Sequence, residues 1–167
     1  MKLAVAATAP FGADVLERVA ARHDVTALLT RPDAPQGRGR KTAAQRAFPI
    51  GDQDDAGAVY EKAATLGAEL LDEVLPDPDF TPQDEVGATY AEKITPADRE
   101  LDWEEAPEEL LNRIRALSPH IGARAELHGR PVTIWKARVA GGRLEPLEVQ
   151  PDGKRRMTYD EFLRGVR

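Results

Sequence analysis

Apolar runs and helically spaced stripes fill the first half of the chain, and two-residue alternation takes over in the second. Leu3 to Ala7 is a short continuous apolar run, the pattern of a buried strand. Pro10 and Gly12 then mark a turn, and Val15, Leu16 and Val19 set a helical spacing over Ala13 to Arg22. "HDVTALLT" predicts a second strand. Strand, helix and strand in such quick succession open a parallel α/β sheet with a right-handed crossover. "QRAFPI" predicts another short strand. Ala56 to Val74 predicts a helix with Val59, Ala63, Leu66, Leu70 and Leu71 on one face and Asp54 or Asp55 as its cap.

"PDPDFTPQDEVGA" is rich in proline and acid, which suits a boundary. Beyond it, Pro107 to Leu117 predicts a helix with Leu110, Leu111, Ile114 and Leu117 inward, ended by Pro119 and Gly122. "ARAELHG", "PVTIWKARV" and "LEPLEVQ" predict strands, joined by hairpin turns at "GR" and "AGGR". On the middle strand, alternation puts Trp135 on one face and Lys136 and Arg138 on the other. "TYDEFLRGV" predicts a closing helix, with Thr158 and Glu161 spaced as a capping box. The fold class expected is α/β, with a small β-rich piece after the α/β piece.

At 167 residues the chain suits one domain or two small ones. Its hydrophobic content of 41% and charged content of 31% are ordinary for a globular protein. No apolar run approaches the roughly 18–20 residues of a membrane span, and the opening "MKLAVAATAP" reads as a strand rather than a signal peptide. There is no cysteine, which removes disulfides, thiolate metal sites and cysteine nucleophiles together, and the three histidines are scattered. No metal is expected. The expected location is cytoplasmic and the expected state monomeric, with no membrane partner.

The formal net charge is -6, yet Arg31, Arg38, Arg40, Lys41 and Arg46 cluster in residues 30 to 46 against Asp33 alone. An acidic chain is a poor general nucleic-acid binder, but a local basic loop can still engage phosphates. A solvated turn accounts for the charge run equally well.

Four stretches carry a resemblance. "TRPDAPQGRGRK" resembles the basic loop after the second strand of methionyl-tRNA formyltransferases. "DDAGAVYEKAATLGAELL" is similar to the helix closing their catalytic domain. "ATYAEKITPADRELDW" with "NRIRALSPHIGA" resembles their interdomain linker and the entry to their C-terminal domain. "IWKARV" with "QPDGKRRMTYDEFLRG" resembles their last strands and helix. The order is the family's order.

The resemblance implies a truncated Rossmann-like catalytic domain over 1–75, a linker over 76–95 and an OB-like β-barrel domain over 96–167. It implies formyl transfer from 10-formyltetrahydrofolate to the amino group of initiator methionyl-tRNA. It also implies that Gly37, Arg38, Gly39, Arg40 and Lys41 form the loop that holds the tRNA acceptor end, with Arg38 foremost. Lys136, Arg138, Lys154, Arg155 and Arg156 are the candidate tRNA-binding residues of the second piece.

The family's catalytic segment, with an Asn-x-His pair and a Ser-Leu-Leu-Pro turn, is absent. The only asparagine is Asn112, in "ELLNRIRAL", with no histidine two residues on, and no "SLLP" occurs. No catalytic residue is therefore assigned. "RGRK" passes through Thr42 and Ala43 straight into "AQRAFPI", where the family inserts further strands and helices, so an internal deletion is expected. Two further departures are the missing glycine in "AATAPFG" and His120, where the family more often has an aromatic residue.

Three readings stay open: a family member that has lost catalysis, a non-catalytic RNA-binding module, and a deletion product without function. A sugar-nucleotide formyltransferase fits less well, because the match continues to the last helix. His23, at the end of the first helix, suits the macrodipole. His120 reads as a packing residue and His128 as an exposed hairpin residue. Asp54 and Asp55 read as helix-start charges rather than as a general base.

Overall fold

The computed structural model describes residues 2–6, 9–22, 24–29, 41–42, 44–77, 79–82 and 92–166. It is an α/β structure that divides into two compact units, residues 1–50 with 59–90 and residues 51–58 with 91–167.

In the first unit, β1 (Lys2–Ala6) and β2 (Asp24–Leu29) pair in parallel, with α1 (Ala9–Ala20) between them in sequence. This is the expected strand–helix–strand opening. The helix starts earlier than expected, and Pro10 and Gly12 lie in its first turn rather than in a turn before it. Proline is tolerated there, because the first amides of a helix have no intrahelical acceptor.

The expected strand at "QRAFPI" does not form; Gln45 to Ile50 is irregular, and Gln45, Arg46, Ala47, Pro49 and Ile50 are exposed. Pro49 has no amide for a ladder, and Arg46 reaches instead to Glu73 at 2.8 Å and Glu69 at 3.6 Å. The pairing nearby is β3 (Lys41–Thr42) against β4 (Thr81–Pro82).

Helix α2 (Ala56–Val74) has the expected bounds, but its buried residues are Ala64 and Ala68. Val59, Ala63, Leu66, Leu70 and Leu71 are only half-buried. The close approach is made by small residues: a Cβ added to Gly67 would lie 3.8 Å from Val15 Cγ2 on α1. Arg18–Glu61 and Arg22–Asp72 pairs link the flanks of the two helices.

Among the described residues, the second unit holds the larger core. Helix α3 (Pro107–Leu117) precedes β5 (Ala123–Leu127), β6 (Arg130–Ala140), β7 (Arg143–Pro151) and β8 (Met157–Thr158), and α4 (Tyr159–Arg164) closes the chain. The four strands form one antiparallel sheet in sequence order.

Leu110, Ile114 and Leu117 of α3 are buried together with Val132, Ile134 and Val149 of the sheet and Phe162 of α4. Leu111, expected inward, is half-buried. Fully burying a side chain of this size contributes about 1.5–3 kcal/mol, so this cluster dominates the unit's stability. The first hairpin turns at His128 and Gly129, whose φ values of 52° and 71° suit the tight primed turns that match strand twist. The second turns at Gly141 and Gly142.

The expected capping box is present. Thr158 Oγ1 accepts from the Glu161 amide at 3.2 Å, and Glu161 Oε2 accepts from the Thr158 amide at 2.9 Å. Donation to the carboxylate from the Thr158 amide first, and then from its hydroxyl at 3.1 Å, holds the Glu161 carboxyl below the usual carboxylate range. Because the folded-state pKa is depressed, the stabilisation is present above the unfolded pKa and is lost as pH falls through the folded one. Glu161→Gln keeps an acceptor but no charge. It is expected to be less stable than the parent at neutral pH and equally stable once the parent carboxyl is protonated. Denaturant midpoints along an acid series check this; a gap that persists at low pH contradicts it.

Candidate nucleic-acid interface

Gly37, Arg38, Gly39 and Arg40 of the basic loop lie outside the described residues, as does His23, and of Lys41 only the backbone in β3 is described. Arg46, the last cation of that cluster, is held by Glu69 and Glu73.

The second unit supplies a described cationic patch. Its centre is Trp135, only 9% exposed, between buried Ile134 and exposed Lys136 on β6. The guanidinium of Arg156 lies 3.4 Å from the centroid of the Trp135 ring, a cation–π contact that flattens Arg156 against the sheet. Arg156 also donates to the Pro119 carbonyl at 2.9 Å and approaches Glu148 at 3.9 Å. The indole of Trp135 donates to Gln150 Oε1 at 3.1 Å, and the Ser118 hydroxyl donates to the Trp135 carbonyl at 2.7 Å.

Strict alternation does not hold along β6. The ladder shifts register between Ile134 and Lys136 and again before Ala137, so Ile134 and Trp135 are both buried. Lys136, expected on the face opposite Trp135, is exposed where Trp135 is buried, and it reaches Glu148 at 3.7 Å, the same carboxylate that Arg156 approaches. Bulges of this kind re-aim side chains. Arg138 pairs with its cross-strand partner Glu145 at 2.8 Å.

Of the five sequence candidates, Lys136 and Arg156 thus share Glu148, and Arg138 pairs separately with Glu145. Arg155 turns to Glu161 at 3.9 Å. Lys154 lines a groove of about 470 Å³ with Arg130, Pro131, Met157 and Phe162. These pairs are exposed, and exposed ion pairs are worth about 0–1 kcal/mol, so an incoming phosphate can displace the carboxylates at little cost.

Sequence reasoning missed Arg130 and Arg143. Both are exposed, and neither has an ion pair among the described residues. Their only signal was position, each opening a strand directly after a hairpin glycine. The Trp135–Arg156 stack left no local signal, since its partners are far apart in sequence.

The remaining candidates are structural. Asp55 Oδ1 accepts from the Ala58 amide at 2.9 Å and so caps α2. His128 is exposed and shares a 3.2 Å contact with the Tyr159 hydroxyl. Asn112 Oδ1 accepts from Arg115 at 3.1 Å. Among the described residues no group of three His, Asp or Glu could hold a metal ion, and no helix is long and apolar enough to cross a membrane.

Residues 93–143 match the family described as formyl transferase, C-terminal domain. That stretch contains α3, β5 and all of β6, hence Trp135, Lys136 and Arg138. The chain is 34% identical over 152 residues to the methionyl-tRNA formyltransferase of Latilactobacillus sakei, covering 73% of this chain and 48% of that one. Identity is 36% over 154 residues to the enzyme of Dictyoglomus turgidum, covering 73% and 49%. It is 37% over 155 residues to that of Rubrobacter xylanophilus, covering 74% and 50%. The chain spans about half the length of the curated relatives it matches. From these matches, and from the order of its motifs, the chain belongs to the methionyl-tRNA formyltransferase family.

Proposed function

We propose that this chain is a family member without formyl-transfer activity that keeps a tRNA-binding carboxy-terminal domain. One observation carries the reading. The second unit, which includes the matched residues 93–143, has a closed core and an exposed cationic patch, while the chain's single asparagine sits in α3 against Arg115.

On this reading residues 1–75 are a remnant of a Rossmann-like catalytic domain, 76–95 a linker, and 96–167 an OB-like barrel domain. The site for 10-formyltetrahydrofolate is incomplete, and the partner is initiator methionyl-tRNA, bound weakly by a cytoplasmic monomer. Gly37 and Gly39 let the loop backbone approach closely, and Arg38, Arg40 and Lys41 meet phosphates or stack on unpaired bases. Lys136, Arg138 and Arg156 supply a second contact, with Lys154 and Arg155 at its margin.

Titration of labelled tRNA against single variants tests the proposal. Arg38→Ala and Arg138→Ala should each weaken binding, and Arg18→Ala should not, because Arg18 lies on α1, outside both proposed contacts. Equal affinities for all three variants would remove the binding role and leave a deletion product without function.

A further inference from the structure

Within the second unit, residues 51–58 are separated in sequence from all the rest, residues 91–167. Arg115, at the end of α3, places its whole guanidinium on this segment and its own helix. Nε donates to the Asp54 carbonyl at 2.8 Å, one terminal nitrogen to the Gly51 carbonyl at 2.7 Å, and the other to Asn112 Oδ1 at 3.1 Å. The Gly57 amide, one of the unpaired donors in the first turn of α2, donates to the Ser118 carbonyl at 3.2 Å. Asp54 closes the loop onto the Gly51 amide at 2.7 Å. A Cβ at Gly57 would lie 2.6 Å from Pro119 Cδ, so the absence of a side chain is what lets the segment sit there.

We infer that the carboxyl end of α3 is a docking surface for the segment Gly51–Ala58. That segment is a structural strap of the carboxy-terminal unit, held by Arg115, Ser118 and Pro119 independently of chain continuity through residues 83–91. The recognition is directional. A planar fork takes two backbone carbonyls, and a backbone carbonyl takes a helix-start amide. Lysine at 115 could not reproduce the fork.

Hydrogen exchange on the full chain, read by mass spectrometry over the peptide spanning 51–58, tests this. Arg115→Ala and Gly57→Ala should each speed exchange there by about tenfold or more, while β6 amides stay protected. Gly57→Ala is the sharper variant. Alanine is otherwise favoured over glycine in a helix, and α3 is untouched, so it decides the matter if Arg115→Ala also loosens β6. Unchanged exchange over 51–58 in Gly57→Ala would overturn the inference.

A second arm places a specific protease site within residues 83–91. The cut halves of the parent should co-elute, and those of the double variant should separate. Parent halves that separate on cutting would overturn the inference as well.

Discussion

Incubated with 10-formyltetrahydrofolate and methionyl-tRNA, the purified chain is expected to yield no formylated product above a no-protein control. An amine attacking a formamide-like carbon needs a base for its proton and a donor for the tetrahedral oxyanion. Losing one oxyanion donor alone typically costs about 100- to 1,000-fold, and here the whole segment that carries the family's Asn-x-His pair is missing from the sequence. Three of the titratable groups that the structure describes serve structural contacts: His128 contacts Tyr159, Asp55 caps α2, and Glu161 caps α4. Turnover that a single substitution in this chain abolishes would contradict the expectation, because it would reveal a catalytic group that this reading does not assign.

Gly122→Ala is expected to be the most damaging single substitution in the carboxy-terminal unit. Gly122 has φ of 77°, a left-handed conformation that costs an alanine about 1–2 kcal/mol. A Cβ there would also lie 2.3 Å from Thr133 Cγ2 and 2.9 Å from Trp135 Cη2, in the middle of the β5–β6 packing. The Gly122 carbonyl further accepts from Arg99 Nε at 3.1 Å, so the backbone cannot shift freely to relieve the clash. Together these should cost about 3 kcal/mol or more, the range of severe core and backbone lesions. For a unit of this size that lowers the melting temperature by more than about 10 °C. Gly129→Ala is the control, with φ of 71° and open space around its Cβ. Only the strain remains there, about 1–2 kcal/mol. Equal melting temperatures for the two variants would show that the Thr133 and Trp135 contacts do not resist displacement.

The second unit was legible because its signals are local. Hairpin glycines, the Thr158–Glu161 spacing and the stripe through Leu110, Ile114 and Leu117 each specify structure within a few residues. Alternation breaks at Ile134 and Trp135, both buried, where a register shift is set by strand pairing rather than by composition. In the first unit, α2 was read from its leucines, yet Ala64 and Ala68 are what it buries; small residues give weak hydropathy but permit close helix approach. "QRAFPI" looked like a strand because its apolar content was right, and apolar content alone does not supply a ladder partner. The Trp135–Arg156 stack and the Arg115 fork join residues too distant in sequence for any spacing rule to find.

The central claim is that binding has outlived chemistry, and labelled initiator methionyl-tRNA titrated at 50 and 200 mM salt tests it most directly. Each phosphate neutralised contributes about -0.9 to the slope of log affinity against log salt, so three or four contacts predict a loss of about 40- to 150-fold between the two conditions. The net charge of -6 keeps the absolute affinity low without removing that slope. A salt-dependent loss in this range, smaller in Arg138→Ala by about one contact, is the predicted result. Affinity that is equal at both salt concentrations, or no binding at either, would contradict the account.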